Sequence, residues 1–339
     1  MTDVPIALSG VGYAVGSDRR DNDSPAYKWL RDNVSEEKIK QLFDGYKYRA
    51  VLAENETITD LMCEASTMAL NAAGLDVEQV DMITGYATVS EYLTPNALSE
   101  LHQILGARSN CWVLPVQSEY TNYLLGIALA RAFIHSGQAQ HVLVVAGCNW
   151  TRHVDYHEPP AVSVGDAASA AVISRGDGED QFQWVDAETL SDTRWYGSMS
   201  MKPRQISAEE TTVRLGAYTK PVFNLNVKSG IDAFKNFGMS KPPELALSLL
   251  ERHGVPASKV TLIAHQASSV LMNAWKARIQ PAAYLDTLEE FGNMTLASIG
   301  VTLAHRYFEI ETEYLLLLGI GVQQETSAVL LRRPRCNGE

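Results

Sequence analysis

VTLIAHQAS at 260–268 and EEFGNMTLASIG at 289–300 are the stretches on which the reading of this chain turns. Val260, Leu262 and Ile263 make an apolar run rich in β-branched residues, as a buried strand requires, and His265 stands where that strand stops. Asn293 falls in a tight FGN turn, just ahead of a small-residue segment suited to a closely packed helix. A strand-end histidine and a loop asparagine converge on one reacting atom if the chain folds back between them. The pair suits a base or hydrogen-bond donor beside an oriented oxyanion. Taken singly, each has an ordinary structural role: His265 satisfies a strand end, and Asn293 occupies a left-handed turn position.

Working outward, the same order of elements occurs twice. ITDLMCEASTMALNAAG reads as an amphipathic helix ended by Gly74, and VDMITGYAT follows as a strand. NALSELHQILG, after Pro95, reads as a helix, WVLPV as a short strand and YLLGIALARAFIHSG as a long apolar helix. HVLVVAG is a fully buried strand, and GDAASAAVISR turns into another. In the second half PPELALSLLERHG is again an amphipathic helix, and KVTLIAHQAS answers QVDMITGYAT. EYLLLLGIG then answers HVLVVAG, and ETSAVLLRR answers AASAAVISR. Three matched pairs in one order indicate an internally duplicated β/α unit, divided into 1–178 and 179–339. Continuous apolar strands between helices imply a layered α/β fold with strands covered on both faces. Residues 25–53, charged and mixed, read as surface helices and loops. The stretch 176–207, rich in Asp, Gly and Gln, reads as the connection between the halves.

With 339 residues, 46% of them apolar and 20% charged, the chain has the composition of a globular protein with a large core. A formal charge of −12 leaves no excess of Lys and Arg to neutralise phosphates, which argues against nonspecific nucleic-acid binding while leaving room for a small local basic patch, and no nucleic-acid partner is expected. Cys63, Cys111, Cys148 and Cys336 show neither CxxC nor zinc-like spacing, so a reducing compartment is expected. MTDVPIALSGVG lacks the pattern of a signal peptide, and no run approaches the ~20 apolar residues that cross a bilayer. A cytoplasmic protein without membrane contact follows as the expectation.

HQAS followed by GNMT resembles the HQAN and GNTS motifs of ketoacyl-acyl-carrier-protein synthase III, in the thiolase superfamily. The resemblance extends over nearly the whole chain and includes ENETITDLMCEASTMALNAAGL, HSGQAQHVLVV and GDAASAAV. It implies the thiolase-like, internally duplicated, five-layered αβαβα fold. It also implies acyl-CoA or acyl carrier protein as thioester substrate, no other cofactor, and a dimer, homomeric or with a paralogue. His265 and Asn293 match the residues that act on the second thioester in that family. Lys276 and Arg278, after HQAS, stand where family members offer a basic spot to the carrier protein, although two charges two apart also read as a solvated helix face.

The resemblance breaks at the nucleophile. The family's reactive Cys opens the long buried helix, and here the stretch is QSEYTNYLLG, with Tyr120 at that position after Ser118 and Glu119. A helix N-terminus activates a thiol, whereas a phenol of reference pKa ~10 is a poor substitute. Ser118 is nearer the right place than any cysteine, but a slip of two residues turns its side chain elsewhere. Thr121, Asn122 and Tyr123 replace the family's small residues and would narrow or polarise the acyl pocket. The turn GIGVQQETSA is less glycine-rich than the family's, which alters the oxyanion site. The candidate catalytic set is therefore His265, Asn293, Tyr120 and Ser118. The expected activity is acyl transfer from a thioester to a carbon or heteroatom acceptor, in secondary metabolism or fatty-acid-type biosynthesis, without a Cys nucleophile. The alternatives are a malonyl-thioester decarboxylase and a catalytically silent subunit partnering an active relative.

Overall fold

Apolar runs become strands where helices cover both faces, and this governs the architecture. The computed structural model describes residues 4–92, 94–176, 178, 180–205 and 219–334. Its strands are β1 (Ile6–Val15), β2 (Asp18–Asp21), β3 (Tyr48–Val51), β4 (Met82–Thr88), β5 (Trp112–Pro115), β6 (His141–Cys148) and β7 (Ala167–Arg175) in the first half. The second half holds β8 (Phe182–Ser191), β9 (Met199–Gln205), β10 (Thr219–Leu225), β11 (Val260–Ala264), β12 (Ala283–Leu285), β13 (Tyr314–Ile320) and β14 (Glu325–Arg332). The α-helices are α1 (Lys28–Asn33), α2 (Glu36–Leu42), α3 (Ile58–Ala73), α4 (Ala97–Leu105) and α5 (Asn122–His135), then α6 (Val227–Ala233), α7 (Lys241–Arg252), α8 (Ser269–Ile279), α9 (Leu288–Phe291) and α10 (Ser298–His305).

Ten strands pair in the order β12-β11-β13-β14-β8-β1-β7-β6-β4-β5. Outward from the centre, β7, β6, β4 and β5 on one side stand where β14, β13, β11 and β12 stand on the other. The senses correspond as well: β6–β7 and β13–β14 are antiparallel, while β4–β6, β4–β5, β11–β13 and β11–β12 are parallel. In the sheet the two halves pair where Ala7 and Leu8 of β1 meet Gln183 and Phe182 of β8. α5 and α10 touch strands of both halves and so lie between them. α3 and α4 cover the outer side of the first half, and α7 and α8 that of the second. The result is the layer sequence α, β, α, β, α.

The middle layer is tight because it is buried on all sides. A Cβ on Gly300 of α10 would lie 2.3 Å from Ser169 Oγ and 2.8 Å from the Tyr123 ring of α5. At the outer layer, a Cβ on Gly12 of β1 would lie 2.2 Å from the Ala65 carbonyl oxygen of α3. These approaches are closer than any side chain permits.

Two expectations need correction. The stretch 176–207 is not a connection, because β8 runs through it and pairs with β14 over most of its length. Its sequence FQWVDAETLS hides this, since β8 is half-buried and carries polar residues on its open side. Residues 177, 179, 206 and 207 lie outside the described residues. The region 25–53 is not all surface, since Tyr27, Leu30 and Arg49 are fully buried. Arg49 escapes a charge-based reading because its guanidinium packs among the rings of Tyr27, Phe43 and Tyr46 and donates from Nε to the Val162 carbonyl.

Gly300→Ala should destabilise the protein by about 1–3 kcal/mol in urea unfolding, because neither Ser169 nor Tyr123 has room to retreat. Gly176→Ala, which meets nothing within 4 Å, should stay within about 0.5 kcal/mol.

Candidate active site

The site is assembled where three parallel-strand ends and the start of α5 meet. β11 ends at Ala264, and His265 follows with its N–H donating to the Leu318 carbonyl of β13 at 2.8 Å. β6 ends at Cys148. Ahead of α5 the chain turns sharply, with Asn122 N–H donating to Ser118 O at 2.8 Å and Tyr120 held at φ +76°. That conformation is a genuine exception for a bulky side chain. It carries the Tyr120 ring flat onto the His265 imidazole, with centroids 5.1 Å apart and planes 13° apart.

Asn293 is fixed by the segment that opens β7. Its N–H donates to Ser163 O at 2.7 Å, and Gly165 N–H donates to Asn293 O at 3.0 Å. Gly165 is required there, since a Cβ would lie 2.2 Å from Phe291 O. The left-handed residue of the FGN turn is Gly292, at φ +78°, and not Asn293. The Asn293 Oδ1 accepts from Thr295 N–H at 2.9 Å, so the Nδ2 end remains as the amide's free donor among the described residues.

Thr295 connects the pieces. Beyond the bond to Asn293, its backbone hydrogen-bonds the His265 ring and its hydroxyl donates to Cys148 Sγ at 2.9 Å. It too is left-handed, at φ +44°. The sequence offered no cue for this role.

Burial sets the protonation states. It lowers the His265 pKa to about 4, with the Thr295 backbone opposing the shift, so the imidazole is neutral at pH 7 with Nδ1 unpartnered. The Tyr120 phenol is pushed well above its usual value by burial, then by Glu119 and Cys148. The Cys148 thiol is pushed up by burial and by Asp166. Glu119, beside Tyr120, accepts from Thr88 Oγ1 at 2.8 Å, and burial raises its pKa to about 7.

Ser118 belongs to a neighbouring cluster. Its hydroxyl donates to Glu325 Oε1 at 3.1 Å and accepts from Gln323 Nε2 at 2.8 Å. The structure therefore brings Tyr120 against His265, ties Asn293 to them through Thr295, and directs Ser118 toward Glu325. Asn122 and Tyr123 are fully buried, with the Asn122 amide and the Tyr123 hydroxyl unpartnered. Cys111 precedes β5, at the opposite strand end from Cys148.

A cleft of about 850 Å³ lies beside the site, walled by Tyr46, Val154, Val162, Phe223, Leu225 and Val270 among others. Phe223 packs on Trp150 at 4.9 Å, and Trp150 on Tyr120 at 5.4 Å, so a line of rings runs from the cleft to His265. Ala267 and Ser268, just past His265, also line the cleft. Lys276 and Arg278 are exposed toward the far end of α8, and Arg278 pairs with Glu244 at 3.1 Å. Among the described residues no cluster of three His, Cys, Asp or Glu side chains is placed to hold a metal, and no helix is long and apolar enough to cross a membrane.

The raised Glu119 pKa carries a sign that can be checked. The folded state holds its proton more tightly than the unfolded chain, so stability is lost as pH rises from about 4.5 through about 7. Glu119→Gln removes that loss. Its melting temperature should exceed the wild type's above pH 7, with the difference shrinking toward pH 4.5; a pH-independent difference would contradict the assignment.

Comparison with known proteins finds relatives along nearly the whole chain. Residues 116–193 match the family described as 3-oxoacyl-[acyl-carrier-protein] synthase III, and they include Ser118, Tyr120 and α5. The β-ketoacyl-[acyl-carrier-protein] synthase III of Neisseria meningitidis serogroup C is 28% identical over 332 residues, covering 96% of this chain and 98% of that protein. That of Halalkalibacterium halodurans is 27% identical, covering 85% and 87%. Among solved structures, 3-oxoacyl-(acyl carrier protein) synthase III of Pseudomonas aeruginosa PAO1 superposes with TM-score 0.82 at 22% identity, over 98% of this chain and 100% of that one. The priming β-ketosynthase of the R1128 polyketide pathway gives 0.83 at 21%, over 98% and 97%. The chain thus has the thiolase-like fold and is similar, over nearly its whole length, to 3-oxoacyl-acyl-carrier-protein synthase III proteins.

Proposed function

We propose that the chain is an acyltransferase of the ketoacyl synthase III type, using an acyl-CoA or acyl-carrier-protein thioester without a covalent acyl-enzyme. The observation that carries this reading is a neutral His265 under the Tyr120 ring, with Asn293 tied to it through Thr295. The Asn293 amide donates to the thioester carbonyl. His265 takes the proton of the attacking acceptor as its bond to the carbonyl carbon forms. The carbon–sulfur bond breaks, and the proton passes to the leaving thiolate. Tyr120, whose phenol stays protonated, serves as a hydrogen-bond donor rather than a nucleophile. Ser118, engaged with Glu325 and Gln323, acts on the shape of the turn.

The relatives are named for the acyl carrier protein, which supports a carrier-bound thioester; Lys276 and Arg278 are the proposed contact for it. We take 1–178 and 179–339 as two copies of one unit, and the protein as cytoplasmic with no resident cofactor. A second reading has its own observation. Tyr120 covers one face of the imidazole and His265 is only 2% exposed, as suits a silent subunit whose active partner does the chemistry. Decarboxylation of a malonyl thioester uses the same donors and needs no acyl-enzyme.

His265→Ala and Asn293→Ala should each lose roughly 10²-fold in rate or more with unchanged melting behaviour. Tyr120→Phe should be impaired. Intact-mass analysis with acyl-CoA and malonyl-CoA should show turnover without a stable adduct. Full activity in both the His265→Ala and Asn293→Ala variants would assign the chemistry to a partner.

Assembly gives a separate test. β5 ends the sheet as an edge strand, with Trp112 55% exposed, and such an edge invites pairing with another copy or a paralogue. Light scattering at micromolar concentration should report a dimer for the chain or for its complex; a monodisperse monomer in both would rule this out.

A further inference from the structure

The cleft beside the site is walled by the segment 154–163, the end of β10 and the start of α8. Its inner wall is apolar, with Val154 and Val162 buried and Phe223 packed on Trp150. The Trp150 and Tyr120 rings stand between Phe223 and His265. Leu225, Ile231 and Val270 also line the cleft and remain exposed, so large apolar side chains gather at its open side. Apolar groups collected around a concavity of about 850 Å³ mark a small-molecule site.

Its charges are of nearly one sign. Among the described residues the charged lining is Asp44, Asp155, Glu158 and Lys202, three carboxylates against one ammonium. Asp44, Glu158 and Lys202 are exposed and Asp155 is half-buried, which places these charges toward solvent rather than against Phe223. Asp44 accepts from Ser269 Oγ at 2.8 Å, which holds it at the start of α8. Asp155 lies 3.2 Å from His157 Nδ1, a contact that offsets its charge only when the imidazole is protonated. A cleft lined by one sign of charge repels ligands of the same sign, and its low-dielectric walls focus the effect.

This distinguishes the two thioesters that the proposed reaction could use. Both carry the acyl group on a pantetheine arm, which has amides and a hydroxyl but no charge. In coenzyme A the arm continues into a phosphorylated nucleotide. With the thioester directed toward His265, those phosphates fall among the carboxylates at the open side. A carrier protein holds the same arm without the nucleotide. We propose that the cleft selects the donor by charge: its apolar walls take the uncharged arm, while Asp44, Asp155 and Glu158 disfavour the nucleotide of coenzyme A, so that the acyl group arrives on a carrier protein. This deepens the proposed acyl transfer by naming its donor, and it rests on that reading.

The test is direct binding, which needs no turnover. Coenzyme A and pantetheine, as free thiols, are titrated into the protein by calorimetry. Pantetheine should bind ~10-fold more tightly at low salt, since each exposed charge contributes modestly. Added salt should strengthen coenzyme A binding by screening the repulsion and leave pantetheine unchanged. Glu158→Lys, at an exposed position, should improve coenzyme A binding by ~5-fold, and Lys202→Glu should weaken it by a similar factor. Pantetheine should change by less than ~2-fold in both variants. Coenzyme A binding as tightly as pantetheine at low salt, an affinity for it that falls with salt, or no binding of either thiol would overturn the proposal. Absence of turnover with acyl-CoA, acylpantetheine and a carrier-bound thioester would sink the acyl transfer while this binding order stood, so the two failures are distinguishable.

Discussion

Two helices share one layer between the halves of the sheet, and the candidate site follows from how closely they pack. α5 has Val144 of β6 against Gly126, where a Cβ would meet Cγ1 at 2.7 Å, and α10 meets Ser169 and Tyr123 through Gly300. A helix enclosed in this way cannot solvate its ends, so its first turn must find protein partners. At α5 no side chain caps the first turn: the Asn122 N–H donates to the Ser118 carbonyl at 2.8 Å, and the Ser118 and Thr121 hydroxyls beside it donate to the Glu325 carboxyl from the other half. The same enclosure puts the start of α5 beside the end of β11, and Tyr120 onto His265.

Enclosure also decides the electrostatics. Tyr120 and three groups around it are pushed toward their neutral forms: Tyr120 and Cys148 hold their protons, Glu119 tends to, and His265 sheds its own. One physical cause, the loss of water, produces all four shifts. Proton transfer and hydrogen bonding survive in such surroundings, whereas a buried anion without a cation beside it does not. Position 120 therefore differs from an activated thiol in its environment as well as in its side chain.

The strands and long helices were legible because burial on both faces writes continuous apolar runs, as in HVLVVAG and YLLGIALARAFIHSG. His265 was legible as the residue after such a run. β8 was not, because a strand at the centre of the sheet order can still keep a half-open face and a polar sequence. Arg49 was missed for the converse reason: its charge marked it as surface, yet its stem packs against Gly292 and its head among aromatic rings. The partnership of Glu325 with Ser118 spans 207 residues, and no local pattern encodes it. Only the loss of glycines in GIGVQQETSA hinted that this turn had been rebuilt.

Of the four left-handed residues other than glycine among the described residues, two lie around the same imidazole. Tyr120 and Thr295 are both left-handed without being glycine, and they lie on the two segments that converge on His265 and Cys148. Each such residue costs of order 1–3 kcal/mol and persists only where other contacts outweigh that cost. For Thr295 the compensation is threefold, through Asn293, Cys148 and the His265 ring. For Tyr120 it is the ring stack on one side and the Glu325 cluster, acting through its neighbours, on the other. A turn with no use for position 120 would relax to an unstrained conformation or take glycine. Here a bulky residue is retained in the strained one, with a buried carboxylate from the opposite half holding both its neighbours, and the consequence is a phenol fixed on the only histidine at the end of β11.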